Sequence, residues 1–263
     1  GNIGTDWSYQ VGGSVSYAKN EVVFREDPEL APDYQKKAGK PINQPTGIPG
    51  TGIIQSWDDI YTHVGVDNMT GYVPGNYALL DYNGDGVVDG QDNVPCDYNH
   101  YPLYSFSLNL FVGWKNLSLS ALLVGQTDVS RQNTYEEFPS PSYSTAIDRD
   151  TWENMWIPGY NDSGSIRHIS FMNSNRSLYA SQLQRADGTL WRLQSAELSY
   201  TFNGPKLKKT GIQSIRLYLA GNNLWLYSHM SDDREANATR AKESHSAQYP
   251  KLKRYTFGVN IKF

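Results

Sequence analysis

Leu103-Tyr-Ser-Phe-Ser-Leu-Asn-Leu-Phe-Val-Gly-Trp114, then Lys115-Asn116, then Leu117-Ser-Leu-Ser-Ala-Leu-Leu123, is the stretch on which the fold turns. Tyr104, Phe106, Leu108, Leu110, Val112 and Trp114 occupy alternate positions, with Ser105, Ser107, Asn109 and Gly113 between them; Phe111 is the exception. Successive side chains of a β-strand point to opposite faces, so this spacing predicts a strand with one apolar and one small, polar face. Lys115-Asn116 turns the chain. Leu117, Leu119, Ala121 and Leu123 open the return strand, and residues 103–129 read as one long hairpin.

Working outward, four further segments carry the same two faces. Tyr9, Val11, Gly13, Val15 and Tyr17 alternate with Gln10, Gly12, Ser14 and Ser16. Ala196, Leu198, Tyr200 and Phe202 alternate with Ser195, Glu197, Ser199 and Thr201 within a strand over 190–202. Ile215, Leu217 and Leu219 oppose Arg216, Tyr218, Ala220 and Asn222 within 213–226, and Tyr255, Phe257, Val259, Ile261 and Phe263 oppose Thr256, Gly258, Asn260 and Lys262 at the end of the chain. Two environments produce such faces. In a soluble sandwich the apolar face meets a second sheet and strands run about five or six residues. In an outer-membrane barrel it meets lipid, and strands need about 9–11 residues. Strand length favours the barrel, as does the placement of Trp7, Trp114, Tyr200, Phe202, Tyr255 and Phe263 near strand ends, where an interfacial girdle sits. Six strands fall short of the smallest closed barrel, of about eight, so the chain is expected to be part of a larger one.

Composition agrees with an all-β reading. The 263 residues include 19 Tyr, 7 Trp, 8 Phe, 23 Gly and 13 Pro, a mix of strand and turn formers. No apolar run approaches the roughly 18 residues of a membrane helix. With 23 basic against 27 acidic residues, the charge is too balanced for a nucleic-acid footprint, and no nucleic-acid partner is expected. Cys96 stands alone and cannot form an internal disulfide; the five histidines show no metal-binding spacing.

Between the strands lie two long segments, 26–76 and 130–188, rich in Pro, Gly, Asn, Asp, Ser and Tyr. Loops this long are normally functional. Their aromatics Trp57, Tyr61, Trp152, Trp156 and Tyr160 are candidates for substrate stacking or partner contact, with Trp57, Trp152 and Trp156 the substrate-binding candidates; packing of the loops' own small cores is the competing role.

One motif has chemical specificity. Residues 81–92 read Asp-Tyr-Asn-Gly-Asp-Gly-Val-Val-Asp-Gly-Gln-Asp. Asp81, Asn83 and Asp85 fall at positions 1, 3 and 5 of a hard-cation loop, Gly86 at the sharp turn of position 6, the Val87 carbonyl at position 7, Asp89 at 9 and Asp92 at 12. Ca²⁺ is the expected cofactor. Asp92 stands where an EF-hand has Glu, and the shorter arm weakens bidentate capture and with it selectivity over Mg²⁺. No flanking helices are evident, so the expectation is a stapled structural loop.

These residues also carry a resemblance. Pro74-Gly75, the block Leu80 to Asp89, Pro102 to Leu110 with its hairpin, Asp187-Gly188 to Leu193, Ala196 to Phe202, Leu207 to Ile212, Ile215 to Leu224, and Tyr249-Pro250 leading to Tyr255–Phe263 resemble, in that order, the C-terminal barrel region of SusC/RagA-type TonB-dependent outer-membrane transporters of Bacteroidota. The terminal Phe263 is similar to the C-terminal aromatic of outer-membrane barrels. Leu190-Trp191 replaces the family's Tyr-Leu order, and Pro95-Cys96-Asp97 to Pro102 departs from its Gly-Asn-x-x-Pro link.

What the resemblance implies is a barrel of about 22 antiparallel strands with long extracellular loops. Residues 1–263 would form its C-terminal part, and the plug, the TonB-contacting box and the earlier strands would lie in the N-terminal remainder of the same transporter. It further implies an outer-membrane location in contact with lipid, a SusD-like surface lipoprotein as lid, TonB as energy source, and import of oligosaccharide or peptide without catalysis. The alternatives are a secreted, calcium-stabilised carbohydrate-binding sandwich, or a glycoside hydrolase drawing its acid and base from Glu136/Glu137 or Asp148/Asp150.

Overall fold

The computed structural model describes residues 1–65, 73–132, 149–165, 185–229 and 251–263. Six long strands appear where the alternation places them: β1 (Trp7–Tyr17), β2 (Tyr104–Trp114), β3 (Leu117–Thr127), β4 (Leu190–Phe202), β5 (Ser214–Ser228) and β6 (Arg254–Lys262). They form one antiparallel sheet in chain order, with the two-residue strand Asn2–Ile3 on the outer edge of β1. Each neighbour is reached by a hairpin or a loop excursion, the meander expected of an up-and-down barrel wall.

Register runs without interruption from β1 to β2 (Trp7↔Trp114 to Tyr17↔Tyr104) and from β2 to β3 (Tyr104↔Thr127 to Trp114↔Leu117). Cross-strand rows can therefore be read over the whole sheet. One face carries Tyr9, Val112, Leu119, Leu198, Leu219 and Phe257 in a single row; its neighbour on the opposite face carries Gln10, Phe111, Ser120, Glu197, Ala220 and Thr256. Phe111, the exception to the alternation, sits on the polar face. A register shift between Leu193 and Ser195 inserts an extra residue in β4. Such a bulge reverses strand parity, and it keeps Trp191 and Leu198, an odd and an even position, on one face.

The apolar face is bare. Val11 and Val15 are 65% and 77% exposed, and Leu119, Leu198, Leu219, Phe257 and Val259 are all exposed as well. Aromatics bound this face at both strand ends: Trp7 with Trp114 (centroids 5.9 Å) and Tyr200 with Phe202 (4.7 Å) at one, Tyr17 with Tyr104 (4.8 Å) and Phe106 with Trp191 (4.0 Å) at the other. Eleven residues rise about 35 Å along a strand. At the roughly 40° tilt of barrel strands, that spans the ~25 Å apolar band of an outer membrane. Gly125 lies between β2 and β4 at the Phe106–Trp191 contact, and a Cβ there would stand 2.0 Å from the Phe106 ring and 2.9 Å from the Leu190 carbonyl oxygen. Only glycine lets Phe106 lie flat across the strand.

Connections at the two ends differ in length. At the Trp7/Trp114 end they are short: the turn before Trp7, Lys115-Asn116 with Lys115 at φ +52°, and residues 203–213 with the helical turn Pro205–Lys208. At the other end they are long: residues 18–103, 128–189 and 229–253. Short turns on one side and long loops on the other are the asymmetry of outer-membrane barrels.

The first long connection folds into a small unit of its own. Thr46–Gly47 pairs with Val94–Pro95 and Gly50–Ile53 with Tyr77–Leu79, enclosing Ile48, Tyr77, Leu79 and Val88, with Ile53 packed alongside. The helix Trp57–Thr62 starts at a capping box in which Ser56 Oγ accepts from the Asp59 N–H and the Asp59 carboxylate accepts from the Ser56 N–H.

Candidate functional site

The loop 81–92 curls by Asx-turn chemistry. Asp81 Oδ1 accepts the N–H groups of Gly84 (2.7 Å) and Asp85 (3.2 Å), and its Oδ2 accepts that of Gly86 (2.8 Å). Asn83 Oδ1 accepts from the Asp85 N–H and Asp85 Oδ1 from the Val87 N–H, each at 2.9 Å. Gly84 and Gly86 hold φ of +75° and +92°, the left-handed conformation that the turn requires and glycine tolerates. Asp89 caps the 3-10 turn Gly90–Asp92.

Asp92 closes the circle. It is fully buried; Oδ1 accepts the N–H groups of Tyr82 (2.7 Å) and Asn83 (3.1 Å), and Oδ2 accepts that of Asp89 (2.8 Å). None of the four carboxylates has an ion-pair partner among the described residues. Their field reaches Tyr34, whose phenol is raised above its ordinary value by burial first and then by Asp92. The donor set and the turn order suit a hard cation. The oxygens, however, are spent on the loop's own amides, and no group of three or more His, Cys, Asp or Glu side chains among the described residues converges on a metal position.

The three tryptophan candidates separate. Trp57 (60% exposed) sits on the capped helix and Trp152 (48%) on the helix Arg149–Asn154, both with surface to offer. Trp156 is 4% exposed, packed beside the buried Met155, and presents no face to a ligand in this form. Glu136, Glu137 and Asp148 lie outside the described residues.

On the polar face of the sheet, the Ser14 and Ser107 hydroxyls meet at 2.8 Å and those of Ser118 and Ser199 at 2.7 Å. Arg216 pairs with Glu197, donates from Nε to Ser199 Oγ at 3.2 Å, and lies over the Tyr218 ring at 5.5 Å. At the long-loop end, His229 Nδ1 meets Asp187 Oδ2 at 2.5 Å and the Tyr227 hydroxyl meets His229 Nε2 at 3.3 Å. Burial pushes the Asp187 carboxyl up, but hydrogen bonds from Thr189, and then from His229, outweigh it and hold the group below the ordinary carboxylate value. His229 is one of the histidines that spacing alone left without a role; 42 residues separate it from Asp187.

No family model matches the chain. It is similar to TonB-dependent receptor P3 of Formosa agariphila, 24% identical over 200 residues that make up 72% of this chain and 19% of that protein. TonB-dependent receptor P26 of the same organism is 24% identical over 210 residues, 73% of this chain and 20% of that protein. Among solved structures, the RagAB peptide transporter superimposes with a TM-score of 0.66 at 16% identity, over 99% of this chain and 28% of that one. The RagAB peptide importer in its closed-closed state does so with a TM-score of 0.65 at 16% identity, over 99% and 28%. The chain thus spans about a fifth of the length of the curated relatives it matches. Sequence likeness and fold agree: it resembles part of a SusC/RagA-like TonB-dependent receptor, and its sheet has the fold of a TonB-dependent barrel wall.

Proposed function

We propose that the chain is the C-terminal part of the barrel of a TonB-dependent outer-membrane importer, its six strands closing a wall whose earlier strands and plug belong to the rest of a longer polypeptide. The observation that carries this reading is the bare apolar face, bounded by aromatics and backed by a face of hydroxyls and amides. Lipid satisfies the first face and a wet lumen the second. A sandwich would need a second sheet over the apolar face, and among the described residues the long strands form one layer.

In this reading the importer takes up oligosaccharide or peptide beneath a SusD-like surface lipoprotein and draws energy from TonB through its N-terminal part. The likeness to TonB-dependent receptors supports the energy source, and the likeness of fold to the RagAB peptide importer supports peptide as a substrate class. Residues 1–263 line and gate the path and perform no covalent step. Asp81, Asn83, Asp85, the Val87 carbonyl, Asp89 and Asp92 hold Ca²⁺, with Mg²⁺ the competing hard cation; the order of donors and the four unpaired carboxylates support this assignment. The cation's contribution is charge neutralisation, and the loop's is to fix the mouth. Trp57 and Trp152 offer stacking surfaces there.

The test uses the full-length protein. Expressed with its own leader, it should fractionate with outer membranes, need detergent for extraction and migrate faster on gels before boiling than after. Cells carrying it with its neighbouring lipoprotein should accumulate labelled oligosaccharide or peptide, and Trp57→Ala should lower that uptake several-fold while leaving the gel shift intact. A folded, detergent-free aqueous protein would overturn the reading.

A further inference from the structure

Residues 20–44 leave the long-loop end of β1 as an arm with a fixed shape. Its two limbs are pinned by Val22 N–H to the Lys40 carbonyl and Gly39 N–H to the Val22 carbonyl, each 2.8 Å. The Asp27 carboxylate accepts the N–H groups of Lys37 and Ala38 at 2.8 Å, and Asn20 Oδ1 accepts that of Ile42 at 2.7 Å. The arm leans on the cation loop: the Tyr34 hydroxyl and the Gln35 amide donate to the Gln91 carbonyl at 2.8 and 2.7 Å, and the Tyr34 ring meets Tyr82 edge-on at 5.0 Å. On this braced frame Val23, Phe24 and Leu30 stand 92%, 84% and 99% exposed. A loose tail hides such side chains by collapse; a pinned arm cannot, and three large apolar groups held bare call for a cover.

Position selects the cover. The arm springs from β1, and on β1's outer edge the described pairing ends early: Asn2–Ile3 pairs with Ser8 and Trp7, and Gly1 exchanges hydrogen bonds with Tyr9, leaving the edge of Val11–Tyr17 open. The curated relatives are about five times as long as the matched stretch. A barrel leaves no open edge. In the barrel proposed above, the strand ending at Asn2–Ile3 continues along Val11–Tyr17, and the loop feeding it emerges beside the arm.

We propose that Val23, Phe24 and Leu30 dock against this preceding extracellular loop of the same polypeptide, and that the cation loop, through Gln91, holds the arm in docking position. The arm is then a brace by which the fold of the 81–92 loop reaches the neighbouring part of the mouth. This rests on the barrel reading above.

The experiment places the photo-crosslinker p-benzoylphenylalanine at position 24 of the full-length transporter, expressed with its lipoprotein in outer membranes. Illumination should join residue 24 to the polypeptide preceding Gly1, with no gain in mass of a second protein. Tyr34→Phe combined with Gln35→Ala, which removes both donors to the Gln91 carbonyl, should cut the yield several-fold while the heat-dependent gel shift stays. A crosslink to a separate lipoprotein, to lipid, or to nothing would overturn the docking, and an unchanged yield in the Tyr34→Phe, Gln35→Ala variant would overturn the brace. Loss of the gel shift in the unaltered protein would instead sink the barrel reading itself.

Discussion

The wall and the mouth of this molecule invert each other. Among the described residues twelve apolar side chains are buried, and of these only Leu190 belongs to one of the six long strands. The dry core lies in the segments whose composition reads as polar loop: Ile48, Tyr77, Leu79, Val88 and Cys96 in the first long connection, Val129 just after β3, Met155 and Trp156 in the second long connection. The strands, which hold most of the regular apolar patterning, leave it outside. In a water-soluble protein this would be an aggregation surface. In a bilayer the two regions follow one rule, each matching its side chains to its own solvent. In the proposed barrel the wall takes its apolar partner from lipid and its cohesion from backbone ladders. The mouth, facing water, must build a core.

The sharpest way to break that comparison is to place one charge on each face of one strand. Leu119 and Ser120 are adjacent in β3, on the apolar and polar faces. Leu119→Arg is expected to cost about 2–4 kcal/mol of folding free energy in lipid. Ser120→Arg should cost close to nothing, since in the proposed barrel that face meets water, where a charge needs no partner. Denaturant unfolding of the full-length protein from vesicles checks the pair, and equal penalties would place both faces in the same medium. A second, smaller blow tests the wall's internal fit. Gly125→Val drives a side chain into the Phe106 ring and toward the Leu190 carbonyl oxygen, where the ladder leaves the backbone little freedom. Overpacking of this kind costs about 1–3 kcal/mol, and Phe106→Ala in the same chain should return part of it, because the ring is the nearer obstacle.

How much of this was legible beforehand follows the same division. Strand positions and their faces were readable because lipid and lumen each act on every second residue, so the pattern is local and repeats. The bulge was not. Across Arg192-Leu193-Gln194-Ser195 the alternation loses phase, and nothing in those four residues says which one is extra. In the mouth, the 81–92 loop could be read because Asx and Gly turns are set by neighbours in sequence, down to the sharp turn at Gly86, whose φ is positive; the second left-handed position, Gly84, was not read. Trp57, Trp152 and Trp156 looked alike as loop aromatics; their burial depends on which distant segments fold over them. The Asp187–His229 contact joins two loops across a strand pair, a juxtaposition that appears only once β4 and β5 are in register.

The cation loop offers a test confined to the mouth. Asp92→Asn keeps one acceptor oxygen for Tyr82 and Asn83 but turns an amide N–H₂ toward the Asp89 N–H, donor against donor. The local cost should be about 1–2 kcal/mol. Amide hydrogen exchange at Tyr82, Asn83 and Asp89 should accelerate by about one order of magnitude, while amides in β2 and β3 keep their protection. Acceleration spreading into those strands would show that wall and mouth unfold as one unit.

The smallest effect concerns pH. Asp187 has its carboxyl held below the ordinary value, so its hydrogen bonds to Thr189 and His229 contribute stability that is complete above about pH 4 and fades as pH falls through the lowered value. The pair is about half exposed, and water screens much of its worth. Between pH 7 and pH 5 the carboxylate stays charged, so the contact should hold across that range. In full-length protein held in detergent, protection of the Thr189 amide, corrected for the intrinsic pH effect, should stay level from pH 7 to pH 5 and fall slightly below about pH 4, and Asp187→Asn should remove that fall. If Thr189 loses protection on going from pH 7 to pH 5, the carboxylate is not the partner that holds the two mouth loops together.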